Sequence, residues 1–263
     1  MLIDIHAHLT DDKYLNEVQD VILRAKEFGL ERIVTCGSDY QSSKKAVELA
    51  NNNDIVYAVI GVHPEDVAYF NSEVESFLRD NSKNEKVIAI GEIGLDYHYE
   101  GFNKELQKEV FLKQLKLASE VGLPVVIHSR DATGDMLEIL KSNKNLLSNG
   151  GIMHCFSGSV ETLREVINLG LSVSFGGAIT FKNSRNAKEL ILNVPTNKFV
   201  LETDCPYLCP EPFRGQRNEP KNVCLVAKKV AEILELSEEE VADITTQNAK
   251  NIFKKLKWNY GKD

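Results

Sequence analysis

The sequence predicts a (β/α)8 TIM barrel, an α/β fold, as a single domain over residues 1–263. Three observations lead to this prediction. Short apolar segments alternate with amphipathic segments along the chain, a pattern typical of a parallel sheet with helical crossovers. The apolar segments number eight, which is the number of strands that closes a barrel. The length of 263 residues also fits this fold, which typically needs about 250 residues.

The predicted strands are short, apolar and rich in β-branched residues. They cover residues 2–9, 32–37, 55–62, 86–91, 124–127, 151–153, 171–175 and 199–203. The predicted helices carry apolar residues three or four positions apart, and two of them stop at a glycine. They cover residues 16–28, 42–51, 67–78, 104–121, 133–140, 160–169, 223–234 and 238–256.

No linker, low-complexity tract or break in composition divides the chain, so we predict one domain rather than two. An open, doubly wound sheet is the alternative architecture. The G-x-G-x-x-G turn that commonly follows the first strand of such a sheet is absent here. The barrel therefore remains the favoured fold.

Composition limits the classes of function. The chain has 31 Lys and Arg against 39 Asp and Glu, which excludes a broad cationic surface for coating nucleic acid but leaves room for a local basic pocket. The five cysteines are scattered and odd in number, as in reduced cytosolic proteins. We expect no signal peptide, no membrane segment and no obligatory protein partner, and we predict a cytoplasmic protein.

Histidines and carboxylates follow the predicted strands. The chain has six histidines, of which only His98 falls inside a loop. Because the carboxyl ends of barrel strands share one face, where barrel active sites lie, side chains at these exits are expected to converge. The residues at the strand exits are His6, His8, His63, Glu92, His128, His154 and Asp204.

The residue types at these exits indicate a metal centre. Imidazoles with a few carboxylates suit Zn, Mn, Fe or Co better than an all-oxygen shell for Mg or Ca would. Six ligands are too many for one tetrahedral ion, so we expect two divalent ions, with Zn, Mn, Mg, Co and Ni left open. The predicted ligands are His6, His8 and Asp204 for one ion, His128 and His154 for the other, and Glu92 as a bridge.

This ligand set predicts hydrolysis by a metal-bound hydroxide, since a coordinated water loses its proton near neutral pH. Asp204 is expected to orient that water and to accept its proton, and Glu92 to hold the two ions together, so both residues are predicted to be catalytic. Asp4 shares the face of His6, and we expect it to support a ligand or to be buried. Asp96 is expected to fix its loop.

Eight motifs carry a family resemblance from residue 4 to residue 253. They are D-I-H-A-H-L at 4–9, G-V-H-P at 61–64, G-E-I-G-L-D-Y at 91–97, P-V-V-I-H-S-R at 124–130, H-C-F-S-G at 154–158, L-E-T-D-C-P-Y-L at 201–208, R-G-Q-R-N-E-P at 214–220 and N-A-K-N-I-F at 248–253. In this order they resemble the TatD-like metal-dependent deoxyribonucleases of the amidohydrolase superfamily. The resemblance implies a barrel, a divalent-metal centre and cleavage of phosphodiester bonds in DNA, often from a 3′ end. It also implies that Glu92 replaces the modified lysine of many superfamily relatives.

Four residues are predicted to bind substrate. His63 could donate to a phosphate oxygen or stabilise its own turn. Arg130 could clamp a phosphate through its fork of donors, or form a salt bridge to Asp131 or Asp96. The resemblance implies that the loop carrying Arg214 and Arg217 faces the substrate, although Glu219 could simply neutralise one of these arginines.

We therefore predict a cytoplasmic metal-dependent phosphodiesterase that acts on DNA ends, 3′ to 5′ and with single strands favoured. Its negative charge fits an enzyme that holds only the last one or two nucleotides, with few phosphate contacts. One alternative keeps the barrel and the metals but hydrolyses an ester or amide, as a D-aminoacyl-tRNA deacylase does. The other is a barrel scaffold without catalysis, against which the complete set of ligand positions argues.

Overall fold

A computed structural model describes residues 1–257 and contains one eight-stranded parallel sheet in the order β1 to β8. The strands are β1 (Leu2–Ala7), β2 (Leu30–Cys36), β3 (Val56–Ile60), β4 (Val87–Asp96), β5 (Val125–Arg130), β6 (Gly151–Met153), β7 (Ser172–Phe175) and β8 (Phe199–Leu201). A parallel bridge between Ala7 and Cys205 brings the last strand back to the first. The backbone N–H of His8 donates to the carbonyl oxygen of Cys205 at 2.7 Å, next to this bridge. The predicted barrel is confirmed.

Helices follow the strands on the outside of the sheet. They are α1 (Val18–Glu27), α2 (Tyr40–Asn51), α3 (Ser72–Asn81), α4 (Lys104–Val121), α5 (Thr133–Ser142), α6 (Val160–Asn168), α7 (Ala187–Asn193), α8 (Val223–Leu234) and α9 (Glu238–Ile252). Within residues 1–257, no helix is long and apolar enough to cross a membrane.

Three helix predictions differ from the structure. The third helix was expected from residue 67, but Pro64–Tyr69 form a 3-10 helix and α3 begins only after Asn71, whose side chain caps it by accepting from the N–H groups of Glu73 and Val74. Helix α7 was not predicted, because a helix of seven residues shows too few turns of periodicity. Helix α9 was expected to reach residue 256 but ends at Ile252.

The apolar core lies in two layers. One cluster fills the space between the sheet and the helices, and a second lies inside the barrel, where Ile3 and Ile5 of β1 are 4% and 1% exposed. Phe253, which follows α9, belongs to the inner cluster and is fully buried. Nearby, the guanidinium of Arg32 in β2 donates to the carbonyl oxygen of Lys257 at 2.8 Å. Residues 253–257 therefore pack against the amino-terminal half of the strands, away from the face where active sites of this fold lie.

Candidate metal centre

Glu92 lies inside β4 rather than after it, because this strand continues to Asp96 instead of ending at residue 91 as predicted. The continuation depends on Gly94, which pairs with His128 of β5 and has a φ of +150°. A Cβ at Gly94 would lie only 1.9 Å from the carbonyl oxygen of His128, so a side chain there would push the two strands apart. The close approach brings Glu92 beside His128.

One oxygen of Glu92 faces the histidines of the first strand. Its Oε2 lies 3.3 Å from Nε2 of His6 and 3.6 Å from Nε2 of His8. The two Nε2 atoms are 3.2 Å apart. Oδ1 of Asp204 completes this group, at 3.7 Å from Nε2 of His6 and 3.4 Å from Nε2 of His8. Four predicted ligands thus present their donor atoms to one small volume.

The other oxygen of Glu92 faces the remaining predicted ligands. Its Oε1 lies 3.0 Å from Nδ1 of His128 and 2.8 Å from Nε2 of His154, and these two nitrogens are 3.1 Å apart. Nε2 of His63 is 3.6 Å from the same oxygen. The carboxylate of Glu92 therefore lies between two groups of imidazoles, with one oxygen toward each.

The donor spacing fits the binding of metal ions. Nitrogen and oxygen ligands placed about 2.1 Å from a tetrahedral ion are about 3.4 Å from one another. In the group of His6, His8, Glu92 and Asp204, the distances given above run from 3.2 to 3.7 Å. In addition, His63, Glu92 and His128 form one of the histidine and carboxylate groups whose ligand atoms lie within 4.8 Å of one another. The residues present at this site therefore suit divalent cations.

Electrostatics at the site favour positive charge. Glu92 is only 3% exposed, and burial alone would raise the pKa of its carboxyl group. The electrostatic influence of the neighbouring His154 and His6 outweighs burial and holds the pKa of Glu92 well below its usual value. Burial likewise raises the pKa of Asp204, and its hydrogen bond to His8 reverses this effect. Both carboxylates are thus kept ionised, as metal ligands must be.

Two further carboxylates, those of Asp96 and Glu202, lie beside the ring nitrogens of His128 and His154 that face away from Glu92. The sequence analysis did not predict this position for either carboxylate. Oδ2 of Asp96 lies 2.8 Å from Nε2 of His128, and Oε1 of Glu202 lies 3.6 Å from Nδ1 of His154. The contact with Asp96 is a hydrogen bond, which fixes the proton on Nε2 of His128 and leaves Nδ1 free for a metal. The contact with Glu202 is too long for a hydrogen bond, and Nδ1 of His154 and Oε1 of Glu202 are buried without a hydrogen-bond partner within residues 1–257. Toward Glu92 and the proposed metal centre, His128 directs Nδ1 and His154 directs Nε2. The sequence signal for Glu202 was a lone acidic residue at the end of an apolar strand.

Asp4 does not reach the metal-ligand cluster directly. Its side chain is fully buried and accepts hydrogen bonds from the backbone N–H of Thr203 at 2.9 Å and from the hydroxyl group of the same residue. Asp4 also accepts from the backbone N–H of His6 at 3.3 Å. It thus joins the first and last strands at the level of the ligands, in keeping with the supporting or buried role expected from its sequence position.

Arg130 lies at the mouth of the site. The salt bridges considered for it are not formed, since Asp131 contacts Nδ1 of His98 at 2.8 Å and Asp96 contacts His128. The guanidinium group lies over the ring of Tyr99, 5.4 Å from its centre. Within residues 1–257 it has no hydrogen-bonded or ion-paired partner, so its donors are available to a ligand.

His63 is positioned as a neutral donor. Its Nδ1 accepts a hydrogen bond from the backbone N–H of Glu65 at 3.3 Å, which places the proton of a neutral ring on Nε2. Burial lowers the pKa of His63 to about 3, so the ring stays neutral near pH 7. His63 thus stabilises its own turn and also directs an N–H toward Glu92. Its donation to a phosphate oxygen stays a prediction.

The structure does not bring the two loop arginines to this cluster. Arg214 donates to Asn183 at 3.2 Å and lies over the ring of Phe181. Arg217 donates to Glu17 at 2.9 Å and to Glu219 at 3.3 Å. Neither arginine lines the cavities around the predicted ligands. The role of both arginines in substrate binding stays a prediction. The alternative for Arg217, that Glu219 neutralises its charge, is supported by the contact between these two side chains.

A cavity of about 390 Å³ opens over five of the six predicted ligands, all except the fully buried His6. Its walls include Arg130 and two tyrosines, Tyr99 and Tyr207, which are 51% and 45% exposed. The hydroxyl group of Tyr207 donates to Asp11 at 2.6 Å, which holds this ring in place. The cavity thus combines a cluster of cation ligands with one free guanidinium group and two exposed aromatic rings.

Comparison with known proteins identifies the family. A family model described as TatD related DNase matches residues 3–254. The chain is 47% identical to the uncharacterized metal-dependent hydrolase YabD of Bacillus subtilis over 254 residues, covering 97% of this chain and 99% of YabD. It is 32% identical to the 3′-5′ ssDNA/RNA exonuclease TatD of a Rahnella strain, covering 96% of this chain and 98% of that one. The crystal structure of the TatD homologue YJJV of Escherichia coli matches with a TM-score of 0.91 at 28% identity, over 96% of this chain and 98% of YJJV. The chain belongs to the TatD-related DNase family of metal-dependent hydrolases.

Proposed function

We propose that this chain is a phosphodiesterase that uses two divalent ions to remove nucleotides from single-stranded DNA ends, in the 3′ to 5′ direction. The observation that carries the proposal is the position of Glu92, which directs one oxygen toward His6 and His8 and the other toward His128 and His154. A carboxylate shared in this way suits a pair of cations. Residues 1–263 would form one hydrolase domain.

The proposed ligands are the six residues predicted from the sequence: His6, His8, Glu92, His128, His154 and Asp204. Bound divalent ions would supply Lewis acidity, which makes water nucleophilic near neutral pH and offsets the charge of a phosphodiester. Asp204 is the proposed proton acceptor. Its Oδ1 faces His6 and His8, and its Oδ2 has no hydrogen-bond partner within residues 1–257. Oδ2 is therefore the atom that would take the proton of the attacking water.

Two donors would hold the phosphate group. The guanidinium of Arg130 presents a fork of N–H groups that matches two phosphate oxygens, and within the described part of the chain it has no hydrogen bond or ion pair that a phosphate would have to replace. The Nε2–H of His63 would donate to a further oxygen, because its neutral ring already accepts from Glu65 through Nδ1. With so few cationic contacts, affinity should fall only slowly as salt concentration rises.

Two features support a single-stranded nucleic acid as the substrate. Tyr99 and Tyr207 present exposed rings beside the ligand cluster, and unpaired bases stack on such rings whereas paired bases are not available to them. The Rahnella relative carries a name that states 3′-5′ exonuclease activity on ssDNA and RNA. We further propose a cytoplasmic location, because all five cysteines are unpaired thiols.

The test is metal analysis of the purified chain followed by assays with a single metal restored to chelator-treated protein. A 5′-labelled DNA strand should shorten progressively from its 3′ end, whereas the same strand in a duplex should react more slowly. An RNA strand and an aminoacyl-tRNA form the comparison arms. Faster release of the aminoacyl group than of nucleotides would overturn the proposal in favour of the ester hydrolase.

A matched pair of variants tests the phosphate clamp. Arg130→Ala should raise KM for the DNA strand at least about tenfold, as expected for loss of a charge-assisted hydrogen-bonding pair worth about 1.5–3 kcal/mol. Arg164→Ala removes an exposed arginine from α6 and serves as the control, with an unchanged KM. Equal KM values for the two variants would exclude Arg130 from substrate binding.

A further inference from the structure

A second cavity, which we call the alcove, lies beside the metal-ligand cluster between the beginnings of α5 and α6. Its volume is about 230 Å³. Arg130 and His154 line the alcove, the cavity over Glu92 and a third cavity that lies between them. The alcove therefore adjoins the proposed metal centre, with Arg130 and His154 at the boundary between them.

The lining of the alcove is apolar on one side and polar on the other. Met136, Met153 and Phe156 are 1%, 5% and 5% exposed and form an apolar surface. Ser129 and Ser157 contribute hydroxyl groups, and neither hydroxyl has a hydrogen-bond partner within residues 1–257. This combination suits a flat group with an apolar face and polar edges, because thioether sulfurs and aromatic rings pack well against aromatic faces.

The volume of the alcove and the charges in its lining limit the kind of ligand that it can hold. The alcove is smaller than the 300–1,000 Å³ typical of pockets for drug-sized ligands, so it suits one nucleoside rather than a longer stretch of strand. Among residues 1–257, Arg130 is the only arginine or lysine in the lining of the alcove, and it lies at the side shared with the metal-ligand cluster. A second phosphate group inside the alcove would have no cation to pair with. The expected occupant is therefore a neutral group attached to the phosphate that Arg130 holds.

We propose that the alcove receives the terminal nucleoside of the strand, with its base against Met136 and Phe156 and its phosphate at Arg130. This inference rests on the proposed function, and it adds the position of the departing nucleotide. Because the alcove has room for one unit, each cycle would release a single nucleotide and cleavage would begin at an end.

The test fills the alcove without touching the proposed ligands. Thr133→Trp and Thr162→Phe each place a large ring in the alcove at residues that line neither of the other two cavities, and Ser142→Trp at the far end of α5 is the control. Two probes are compared with the metal restored: a 5′-labelled single strand, and dimethyl phosphate, a small phosphodiester without any ring that could enter the alcove, whose hydrolysis is followed by the methanol released. We expect both filling variants to raise KM for the strand at least tenfold and to leave KM for the small diester within twofold. The control should match the wild type on both probes.

Other outcomes would overturn the inference. Unchanged KM for both probes would show that the alcove is not used, and equal losses on both would show that the substitutions act through the metal centre. Folding is checked by circular dichroism, and two filling variants guard against the loss of one. If the wild type hydrolyses neither probe, the proposed function fails by itself. Equilibrium dialysis with thymidine 5′-monophosphate then tests the alcove, since only the wild type and Ser142→Trp should bind it.

Discussion

Replacement of Asp96 by asparagine tests how the protein fixes the tautomer of His128. Asp96 accepts from two donors at once, the backbone N–H of His98 at 2.9 Å and Nε2 of His128 at 2.8 Å. Asparagine offers only one oxygen. If that oxygen keeps the contact with His98, the amide N–H₂ group faces His128 and draws the ring proton to Nδ1. The nitrogen that points to Glu92 then no longer has a lone pair for a metal.

The size of the effect follows from the contact that is lost. A hydrogen bond to a charged group is worth about 1.5–3 kcal/mol, which corresponds to roughly a 10- to 100-fold change in affinity. Loss of a carboxylate behind a ligating histidine typically weakens metal binding by the same factor. We therefore expect Asp96→Asn to weaken the binding of one Zn ion 10- to 100-fold, and to leave the other ion near its original affinity.

The assay is competition for Zn against a chromophoric chelator, combined with ¹⁵N spectra of the histidine rings in the metal-free protein. Asp131→Asn is the matched control, since it changes the exposed carboxylate that contacts His98 and leaves His128 untouched. The control should keep both Zn affinities. Wild-type affinities in Asp96→Asn, together with a proton still on Nε2 of His128, would refute the reasoning.

Three more changes have defined outcomes. Asp204→Asn should lower turnover of a small phosphodiester by about 10²–10⁴, and unchanged turnover at full metal content would exclude this residue as the proton acceptor. Burial, and after it the negative charge of Asp39, raises the pKa of Asp66 to about 6. The stability that the protonated carboxyl group contributes to the folded protein is therefore lost as the pH rises through 6. Asp66→Asn should thus stabilise the metal-free protein by roughly 1 kcal/mol at pH 7, after allowance for solvent screening, and not at pH 4, as measured by thermal unfolding. Phe253→Ala should cost about 3–5 kcal/mol in urea unfolding, and a cost below 1 kcal/mol would contradict its place in the inner core.

The ligand cluster could be anticipated because it depends on topology more than on packing. Parallel strands in a closed barrel end on one face, so the residues after each strand converge whatever the details of the side chains. His6 and His8 lie at the first strand, and Asp204 follows the last one. The bridge between Ala7 and Cys205 joins these two strands, although they are far apart in sequence. Spacing alone was sufficient to predict that these three residues are neighbours.

The supporting contacts could not be anticipated, because they depend on individual side-chain geometry. Asp96 was expected to fix its loop, and it does so through the N–H of His98, but its second oxygen also contacts His128. That contact exists only because β4 continues past Glu92, which in turn depends on the close approach at Gly94. A sequence pattern predicts that a strand is present, but it does not predict its last residue well enough to identify such a contact.

The sequence also does not predict which of the arginines forms ion pairs and which does not. The sequence marks Arg130 and Arg217 alike as candidates for binding phosphate. In the structure, Arg217 donates to Glu17 and Glu219, whereas Arg130 lies over the ring of Tyr99 and has no hydrogen-bonded or ion-paired partner within residues 1–257. Which cation is free depends on which carboxylates are near it in space, and Glu17 is separated from Arg217 by 200 positions.

The positions of the carboxylates indicate which of them is free to accept a proton. Asp96 has both oxygens engaged and a side chain that is 1% exposed. Glu202 is fully buried, and its Oε2 accepts from the hydroxyl of Ser174. Asp204 is 15% exposed, lines the cavity over Glu92, and has one oxygen without a protein partner within residues 1–257. Proton transfer from water requires both access and a free lone pair, so the geometry favours Asp204 for this role and leaves Asp96 to orient His128.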